Sequence, residues 1–170
     1  MSLWWVFGFY LAERGLELVI AARNRQRLLA RGAVELHAGN YRAIVGLHCL
    51  FFVALLVESF PWRVPLDGLT FFSLAALALL MGLRYACIAA LGPFWNTRIL
   101  VLPGARPVRR GPYRLLKHPN YLVVTLEFAL IPLLMRAPVT LFLFSLANLI
   151  LLRRRIGYEE RALAEYGDRS

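Results

Sequence analysis

Five long apolar segments follow one another along the chain, and stretches rich in arginine separate most of them. They span residues 3–22, 43–60, 69–91, 121–135 and 138–152. A helix needs about 20 mainly apolar residues to cross a bilayer, and fewer where interfacial groups flank it. Only Arg136 and Ala137 separate the last two segments, which predicts a tight helical hairpin. The pattern therefore predicts an all-α fold, a polytopic integral membrane protein with about five transmembrane helices.

The first apolar segment has an ionic face. Glu13, Arg14 and Glu17 interrupt it, and it has neither a basic amino-terminal region nor an Ala-x-Ala cleavage site. Both features distinguish it from a secretory signal peptide. Trp4 and Trp5 suit the headgroup layer of a membrane. We expect a permanent helix rather than a leader that is removed.

Positive charge is concentrated in three alternate segments. Residues 23–42, 92–120 and 153–169 hold sixteen of the twenty Lys and Arg residues, whereas the two intervening loops hold only Arg63 and Arg136. Cytoplasmic loops of membrane proteins carry an excess of Lys and Arg. We therefore expect the N-terminus outside the cell, a structured cytosolic loop at 92–120 and a cytosolic C-terminal helix.

The composition narrows the class of protein. Hydrophobic residues make up 59% of the 170 residues, charged residues only 18%, and the formal net charge is +10. A typical globular chain is about 45–50% apolar and about 25% charged, so a disordered chain and a soluble nucleic-acid-binding domain are both excluded. Cys49 and Cys87 lie inside apolar segments, which excludes a disulfide scaffold. With no repeat and no linker, residues 1–170 are expected to form one membrane-embedded domain.

Several motifs of cofactor and metal chemistry are absent from the sequence. No Gly-x-Gly occurs, which leaves neither a Rossmann fingerprint nor a P-loop. The three His and two Cys residues are scattered, so no metal site is expected. There is no Gly-x-Ser-x-Gly nucleophile turn either. A nucleotide-type cofactor would have to be held by something other than a soluble nucleotide-binding fold.

The basic segment 92–120 is too long to be a simple helix connection. Its β-branched stretch 97–102 predicts extended structure, and His118-Pro119 predicts the start of the fourth helix, because Pro is tolerated in a first helical turn. A structured, basic and aromatic loop beneath a membrane is a candidate ligand platform. The alternative is a polybasic anchor for lipid headgroups, which accounts for the arginines. It does not account for the side chains of Tyr113, His118 and Tyr121.

The basic C-terminal segment also carries acidic residues. If it continues the fifth helix, Arg155 and Glu159 stand four residues apart on one face, with Glu160 beside them. Two interpretations are open. The segment is either a solvated helix end with a salt bridge, or it presents a pair of carboxylates to the hydroxyl or ammonium groups of a ligand.

Ionisable groups also occur inside the apolar segments. An unpaired charge in hydrocarbon is costly, so each is expected to face the bundle or reach the interface. Glu13 and Glu17 share one helical face and are expected to pair internally, with Arg84 as a candidate partner. Glu127 is a candidate to line a cavity, and His48 is expected to make an interhelical hydrogen bond.

Two motifs together resemble one family of membrane enzymes. The first runs from Gly111 to Tyr121 and reads GPYRLLKHPNY, and the second places Arg155 four residues before the Glu159-Glu160 pair. This combination is similar to the isoprenylcysteine carboxyl methyltransferase family, which consists of small polytopic membrane enzymes that transfer a methyl group from S-adenosylmethionine. The resemblance covers roughly residues 91–167.

The N-terminal part of the chain narrows the resemblance to one branch of the family, and two residues differ from the family motif. Residues 17–35 resemble the bacterial branch found beside type III polyketide synthases, whose members O-methylate alkylresorcinol or alkylpyrone lipids; this implies a bacterial inner (plasma) membrane. Lys117 stands where the family usually has Arg, which keeps the charge but loses bidentate geometry. Val123 stands where many members have Gly. Phosphatidylethanolamine methyltransferases and NADPH-dependent sterol-type reductases share a similar motif pair.

The resemblance also implies where the cofactor and the substrate bind. Arg155 is implied to hold the polar head of a lipophilic substrate that enters from the bilayer. A carboxylate acceptor needs no base at neutral pH, whereas a phenol or enol acceptor would give its proton to His118 or Glu127. The alternatives are an NADPH-dependent membrane reductase and a non-enzymatic lipid-binding membrane protein. S-adenosylmethionine also carries a carboxylate that suits Lys117, and an ammonium and ribose hydroxyls that suit Glu160 beside Glu159. The cofactor site implied by the resemblance consists of the backbone of Pro107 and Val108, with Tyr113, His118, Pro119, Asn120, Tyr121 and Glu159.

Overall fold

Helices and two short strands make up the computed structural model, which describes Ser2 and residues 4–166. Leu3, Gly167 and Arg169 of the predicted segments lie outside the described residues. Each of the five apolar segments forms a helix, as predicted. The helices are α1 (Trp4–Ala30), α2 (Ala38–Glu58), α3 (Gly68–Leu91), α4 (Pro119–Leu134) and α5 (Pro138–Tyr166). The strands are β1 (Val34–Leu36) and β2 (Ile99–Val101).

Two of the helices are longer than the apolar segments that predicted them. α1 continues through arginine-rich residues to Ala30. α5 runs as one helix to Tyr166, which confirms that the basic tail continues the fifth segment. By length and apolar content α2 and α3 are able to cross a membrane, and α4 is a shorter apolar helix. Because α1 and α5 carry ionisable groups along their length, five transmembrane helices stay a prediction.

The main apolar core is built mainly by α1, α2 and α4, and side chains of α3 and α5 pack against it. Phe51 of α2 packs on Phe128 of α4 with ring centroids 4.4 Å apart, and Phe7 of α1 belongs to the same cluster. The Glu58 carboxylate at the end of α2 accepts hydrogen bonds from the N–H groups of Val139 and Thr140, at 2.8 and 2.7 Å. N–H groups in a first helical turn lack partners within the helix, so Glu58 caps α5 and ties it to α2.

The connection between α4 and α5 is the tight turn that the sequence predicted. Arg136 lies in the left-handed region at φ 56°, between Met135 and Ala137. Its guanidinium also binds Asp67 at 2.6 Å. Pro138 then starts α5, where its fixed φ suits a first helical position.

A two-stranded antiparallel sheet joins distant parts of the chain. Val34 of β1 pairs with Val101 of β2, and Leu36 pairs with Ile99. The extended structure of β2 was predicted, but β1 and the pairing were not. β2 also packs on α5, where Ile99, Val101 and Ala162 share a buried cluster. The three basic segments therefore meet at one end of the helical bundle.

Glu35 of β1 links two arginines at this end of the molecule. Arg25 Nε lies 2.7 Å from one carboxylate oxygen, and Arg98 binds the other. Burial opposes ionisation of Glu35, but the hydrogen bonds from Arg25 and Arg98 outweigh it and lower the pKa of the carboxyl below its ordinary value of 4.5. The stabilisation from this pairing is therefore fully present above about pH 4.5, and it is lost as the pH falls through the lowered pKa.

We expect Glu35→Gln to lower the free energy of unfolding by less than about 1 kcal/mol at neutral pH, because both arginines are partly exposed. Thermal unfolding in detergent, measured at about pH 7 and about pH 3, tests the pH dependence. The wild-type protein should lose more stability over this interval than the variant. An equal loss in both proteins would show that Glu35 does not stabilise the fold as a carboxylate.

Candidate functional site

A pocket of about 490 Å³ opens at the basic end of the bundle. The 92–120 loop with β2, the start of α4 and the C-terminal part of α5 form its wall. Small-molecule sites typically have volumes of about 300–1,000 Å³. Ten of the twelve predicted site residues line the pocket: Pro107, Val108, Tyr113, Lys117, His118, Asn120, Tyr121, Arg155, Glu159 and Glu160.

The loop is fixed against α3 on one side of the pocket. Gly111 has φ 55°, and a Cβ atom there would come within 3.2 Å of Ala90, so both the backbone conformation and the close approach favour glycine. Arg110 Nε donates to the Ala90 carbonyl at 2.6 Å. Tyr113 shares a hydrogen bond with the buried Cys87. Burial raises the pKa of the Tyr113 phenol, so it stays protonated at neutral pH.

Arg155 is almost fully enclosed at the junction of the loop, α4 and α5. It is 6% exposed. Its Nε donates to the phenol oxygen of Tyr121 at 2.8 Å, and its Nη2 donates to the Thr97 carbonyl at 2.8 Å. The Tyr121 hydroxyl in turn donates to Glu159. Because a guanidinium has five N–H donors, this network orients Arg155 and leaves donors for a ligand.

More exposed charged groups line the outer part of the pocket. Lys117 Nζ lies 2.6 Å from the Glu160 carboxylate. His118 Nε2 lies 3.4 Å from the same carboxylate, and the imidazole stacks on the Tyr121 ring with centroids 5.2 Å apart. The hydrogen bond from Lys117, with help from His118, lowers the pKa of Glu160, which is therefore ionised at neutral pH. The pocket thus offers two carboxyl side chains, a buried arginine and aromatic faces.

The part of the chain that builds this pocket matches a known family. The sequence model of the isoprenylcysteine carboxyl methyltransferase (ICMT) family matches residues 73–165, more than half of the chain. The chain belongs to this family. Both motifs, at residues 111–121 and 155–160, lie inside the matched region.

Two bacterial relatives are similar over nearly the whole chain. The uncharacterized protein YpbQ of Bacillus subtilis is 39% identical over 163 residues, which are 96% of this chain and 97% of that protein. An uncharacterized protein of Haemophilus influenzae is 26% identical over 159 residues, 93% of this chain and 92% of that protein. No solved structure matches the chain. The similarity to these relatives therefore extends beyond the region that defines the isoprenylcysteine carboxyl methyltransferase family.

The sequence analysis did not predict one wall of the pocket in this isoprenylcysteine carboxyl methyltransferase family member. Trp95 lines the pocket and is 2% exposed, and its indole N–H has no hydrogen-bond partner among the described residues. Asn24 of α1 donates to the carbonyls of Gly92 and Trp95 at 3.1 and 2.9 Å and so anchors the loop. An aromatic and an amide side chain side by side in the loop, Trp95 and Asn96, could have indicated this wall of the pocket from the sequence. No sequence pattern indicated the role of Asn24, because it lies 68 residues before Gly92.

Two implied site residues do not line the pocket. Pro119 is buried in the first turn of α4 and shapes the start of that helix. Glu127 lies farther along α4, is 5% exposed, and accepts hydrogen bonds from Tyr10 at 3.1 Å and Arg14 at 3.3 Å. It is also paired with Arg84. The expectation that Glu127 lines the site is therefore wrong for this pocket, because Tyr10, Arg14 and Arg84 occupy its oxygens. Its role in taking a substrate proton stays a prediction.

Glu127 belongs to a buried ion cluster that also contains Tyr10, Arg14, Glu17 and Arg84. Arg84 Nη1 lies 3.2 and 3.1 Å from the two Glu17 oxygens, and Arg14 Nη1 lies 3.0 Å from Glu17. The predicted internal pairing of Glu17 with Arg84 is thereby confirmed. Two arginines and two glutamates leave the cluster without formal net charge. It joins α1 to α3 and α4, and so adds to the apolar contacts of Phe7 and the hydrogen bonds of Asn24 that hold the N-terminal helix against the family-matched region.

Two other ionisable groups of the apolar segments differ from the expectation. His48 Nδ1 lies 2.8 Å from the Ile44 carbonyl of its own helix, so its hydrogen bond is not interhelical. Its ring packs edge-on against Phe128 of α4, with centroids 4.9 Å apart. Glu13 accepts a hydrogen bond from Tyr85 near the surface instead of pairing with an arginine of α3.

Proposed function

We propose that the protein is a membrane-embedded, S-adenosylmethionine-dependent methyltransferase that O-methylates a lipophilic carboxylate, phenol or enol. The observation that carries this proposal is the pocket where the two motif segments meet. Tyr113, His118 and Tyr121 come from one segment, and Arg155 and Glu159 come from the other. Membership of a methyltransferase family supports the class of reaction.

Polar atoms without partners support the fit of a polar cofactor to the pocket. Trp95 Nε1 and Asn120 Oδ1 belong to pocket-lining residues, are buried and have no hydrogen-bond partner within the described part of the chain. An unsatisfied buried polar atom costs about 1–3 kcal/mol. A ligand that carries amino, hydroxyl and carboxylate groups would remove this cost by pairing with both atoms.

The charged and aromatic residues of the pocket also suit S-adenosylmethionine. Glu159 and Glu160 offer carboxyl groups to an ammonium and to ribose hydroxyls. Tyr113 and Tyr121 offer aromatic faces to a purine and to a sulfonium cation. Lys117, which now pairs with Glu160, would bind the cofactor's carboxylate when Glu160 turns to the ligand. When bound, this cofactor supplies a methyl group activated by a positively charged sulfur.

The chain itself has to position the methyl acceptor and exclude water. Arg155, held by Tyr121 and Thr97, would bind an acidic acceptor head in one orientation. A carboxylate acceptor is already ionised and needs no base. A phenol or enol acceptor must lose a proton, and His118 is the pocket-lining residue we assign to take it at a ring nitrogen.

We further infer that the pocket faces the cytosol of a bacterium and that the N-terminus lies outside the inner membrane. This inference is supported by the three basic segments that meet at the pocket end of the bundle, beside the apolar helices α2 and α3. A water-soluble cofactor would enter from the cytosol and a long-tailed acceptor from the bilayer. Alkylresorcinol and alkylpyrone lipids are the first phenol and enol acceptors to test, because residues 17–35 resemble the bacterial branch whose members O-methylate these lipids.

Transfer of labelled methyl groups from S-adenosylmethionine into the lipids of membranes that contain the protein tests the proposed function. We expect labelled lipid with the wild-type protein and a rate about 100-fold lower with Arg155→Lys. Lysine keeps the charge but cannot hold both Tyr121 and Thr97, so the acceptor would be misplaced. Cofactor binding should change little in this variant.

Arg153→Lys is the matched control for this experiment. Arg153 lies two positions before Arg155 on α5, is exposed and does not line the pocket. This variant should keep the wild-type rate. Absence of labelled lipid with the wild-type protein, across the acceptor classes, would contradict the proposed function. Equal rates in the two lysine variants would contradict only the role of Arg155.

A further inference from the structure

A second cavity, of about 390 Å³, lies on the neighbouring face of α5. It is separate from the methyltransferase pocket, although the two share adjacent residues of the helix. Positions 151, 154 and 158 face this cavity, whereas positions 155 and 159 face the pocket. The residues that define the second cavity are His37, just before α2, Gly39, Asn40 and Ala43 from the start of α2, and Leu151, Arg154 and Tyr158 from α5.

The cavity lies at the boundary between apolar and polar parts of both helices. Leu151 and Leu152 end the apolar part of α5, and three arginines follow directly. On the opposite side, Ala43 begins the apolar segment of α2, and polar residues precede it. In a helix that crosses a membrane, this boundary lies at the level of the lipid headgroups.

One end of the cavity is cationic and rich in hydrogen-bonding groups. Arg154 is exposed and has no acidic partner among the described residues. His37 stacks on Tyr158, with ring centroids 4.1 Å apart and 14° between the ring planes. The side-chain oxygen of Asn40 is buried and has no hydrogen-bond partner in the part of the chain that the structure describes. None of the described lining residues is acidic, and Leu151 makes the other end apolar.

We propose that this cavity binds the headgroup of an anionic phospholipid. The phosphate lies at Arg154, a headgroup hydroxyl donates to Asn40, and the acyl chains follow the apolar seam between α2 and α5. Basic pockets between membrane helices bind anionic headgroups for the same reason of charge complementarity. A free phosphate ion would use Arg154 but leave the apolar end unfilled. This proposal does not rest on the methyltransferase function.

Tyr158 connects the second cavity to the wall of the first pocket. Its ring stacks on His37 and also packs on the buried cluster that contains Ile99 and Val101. Both of these β2 residues line the methyltransferase pocket. A lipid that orders His37 and Tyr158 is therefore expected to stabilise this wall as well.

Binding of defined lipids to the purified protein in a non-ionic detergent tests the proposal. Native mass spectrometry counts bound phosphatidylglycerol, which has a phosphate and free hydroxyls, against phosphatidylcholine and inorganic phosphate. We expect one phosphatidylglycerol to be retained per chain, with about five- to tenfold weaker binding of phosphatidylcholine. Arg154→Gln should weaken phosphatidylglycerol binding by a similar factor.

Two further variants separate a defined site from general attraction to a basic surface. Arg153→Gln removes the same charge from the neighbouring exposed position outside the cavity, and should bind phosphatidylglycerol as the wild type does. Ala43→Trp places a bulky ring in the cavity without changing any charge, and should weaken binding. Equal losses in Arg153→Gln and Arg154→Gln, or normal binding by Ala43→Trp, would overturn the proposal. Equal affinity for phosphatidylcholine, or retention of inorganic phosphate as tight as that of the lipid, would do the same.

Discussion

Glu159→Gln is expected to weaken the binding of S-adenosylhomocysteine, the demethylated form of the cofactor, by about 10- to 100-fold. The Glu159 carboxyl lines the pocket, and we assign it to the ammonium or ribose groups of the cofactor. A hydrogen bond to a charged group is worth about 1.5–3 kcal/mol, and about 1.4 kcal/mol corresponds to a factor of ten. Glutamine keeps the size of the side chain and can still accept from Tyr121, so the fold should be preserved. Isothermal titration of the purified variant measures the effect.

Glu165→Gln provides the matched control for this titration. Glu165 lies on the same helix, is exposed and does not line the pocket. It loses the same charge at the same basic end of the molecule, so a general electrostatic effect would appear in both variants. We expect wild-type affinity for Glu165→Gln. If Glu159→Gln binds as tightly as Glu165→Gln, the assignment of Glu159 to the cofactor is wrong.

Glu127→Gln is expected to lower the free energy of unfolding by about 3–5 kcal/mol. Glu127 is 5% exposed, and its loss leaves Arg14 and Arg84 with Glu17 as the remaining anion of the cluster. Removal of one partner from a buried ion pair strands an uncompensated charge in a low-dielectric interior. Thermal or denaturant unfolding in mixed micelles, followed by circular dichroism, measures the loss of stability.

Two comparisons isolate the contribution of the buried cluster. Glu13→Gln changes the same type of residue near the surface, beside Tyr85, and should alter stability by no more than about 0.5 kcal/mol. The double variant Glu127→Gln/Arg84→Met restores a neutral cluster and should be more stable than the sum of the single variants predicts, by about 0.5–3 kcal/mol. Additive effects, or a loss below about 1 kcal/mol for Glu127→Gln, would contradict a stabilising role of the neutral cluster between α1 and the rest of the bundle.

The helices could be predicted because each apolar segment satisfies its own hydrogen bonds and needs no distant partner. The turn at Arg136 could be predicted because only two residues separate the last two apolar segments. The length of α5 could be predicted because its charged tail continues the helix directly. The motif residues were also predictable as a group, because 111–121 and 155–160 carry groups that a polar ligand needs. Their meeting in one pocket depends on the α4–α5 hairpin, which the sequence also indicated.

Contacts between distant segments were beyond the reach of the sequence. The strand β1 has three residues and gains its partner β2 from a segment more than sixty positions away, so no local pattern distinguishes it from a loop. The partners of Glu127 could not be predicted for a similar reason. Its position on α4 allowed either a cavity or an ion pair, and only the packing of Tyr10, Arg14 and Arg84 from two other helices decides for the ion pair.

The most direct test of the central claim is a titration of the purified wild-type protein with S-adenosylhomocysteine and, separately, with NADPH. Binding of S-adenosylhomocysteine to one site per chain, without binding of NADPH, is the result expected for a methyltransferase pocket formed by Tyr113, Tyr121 and Glu159. Binding of NADPH alone would identify a reductase, and binding of neither would leave a lipid-binding protein without a cofactor. Either of these two results would contradict the proposed function.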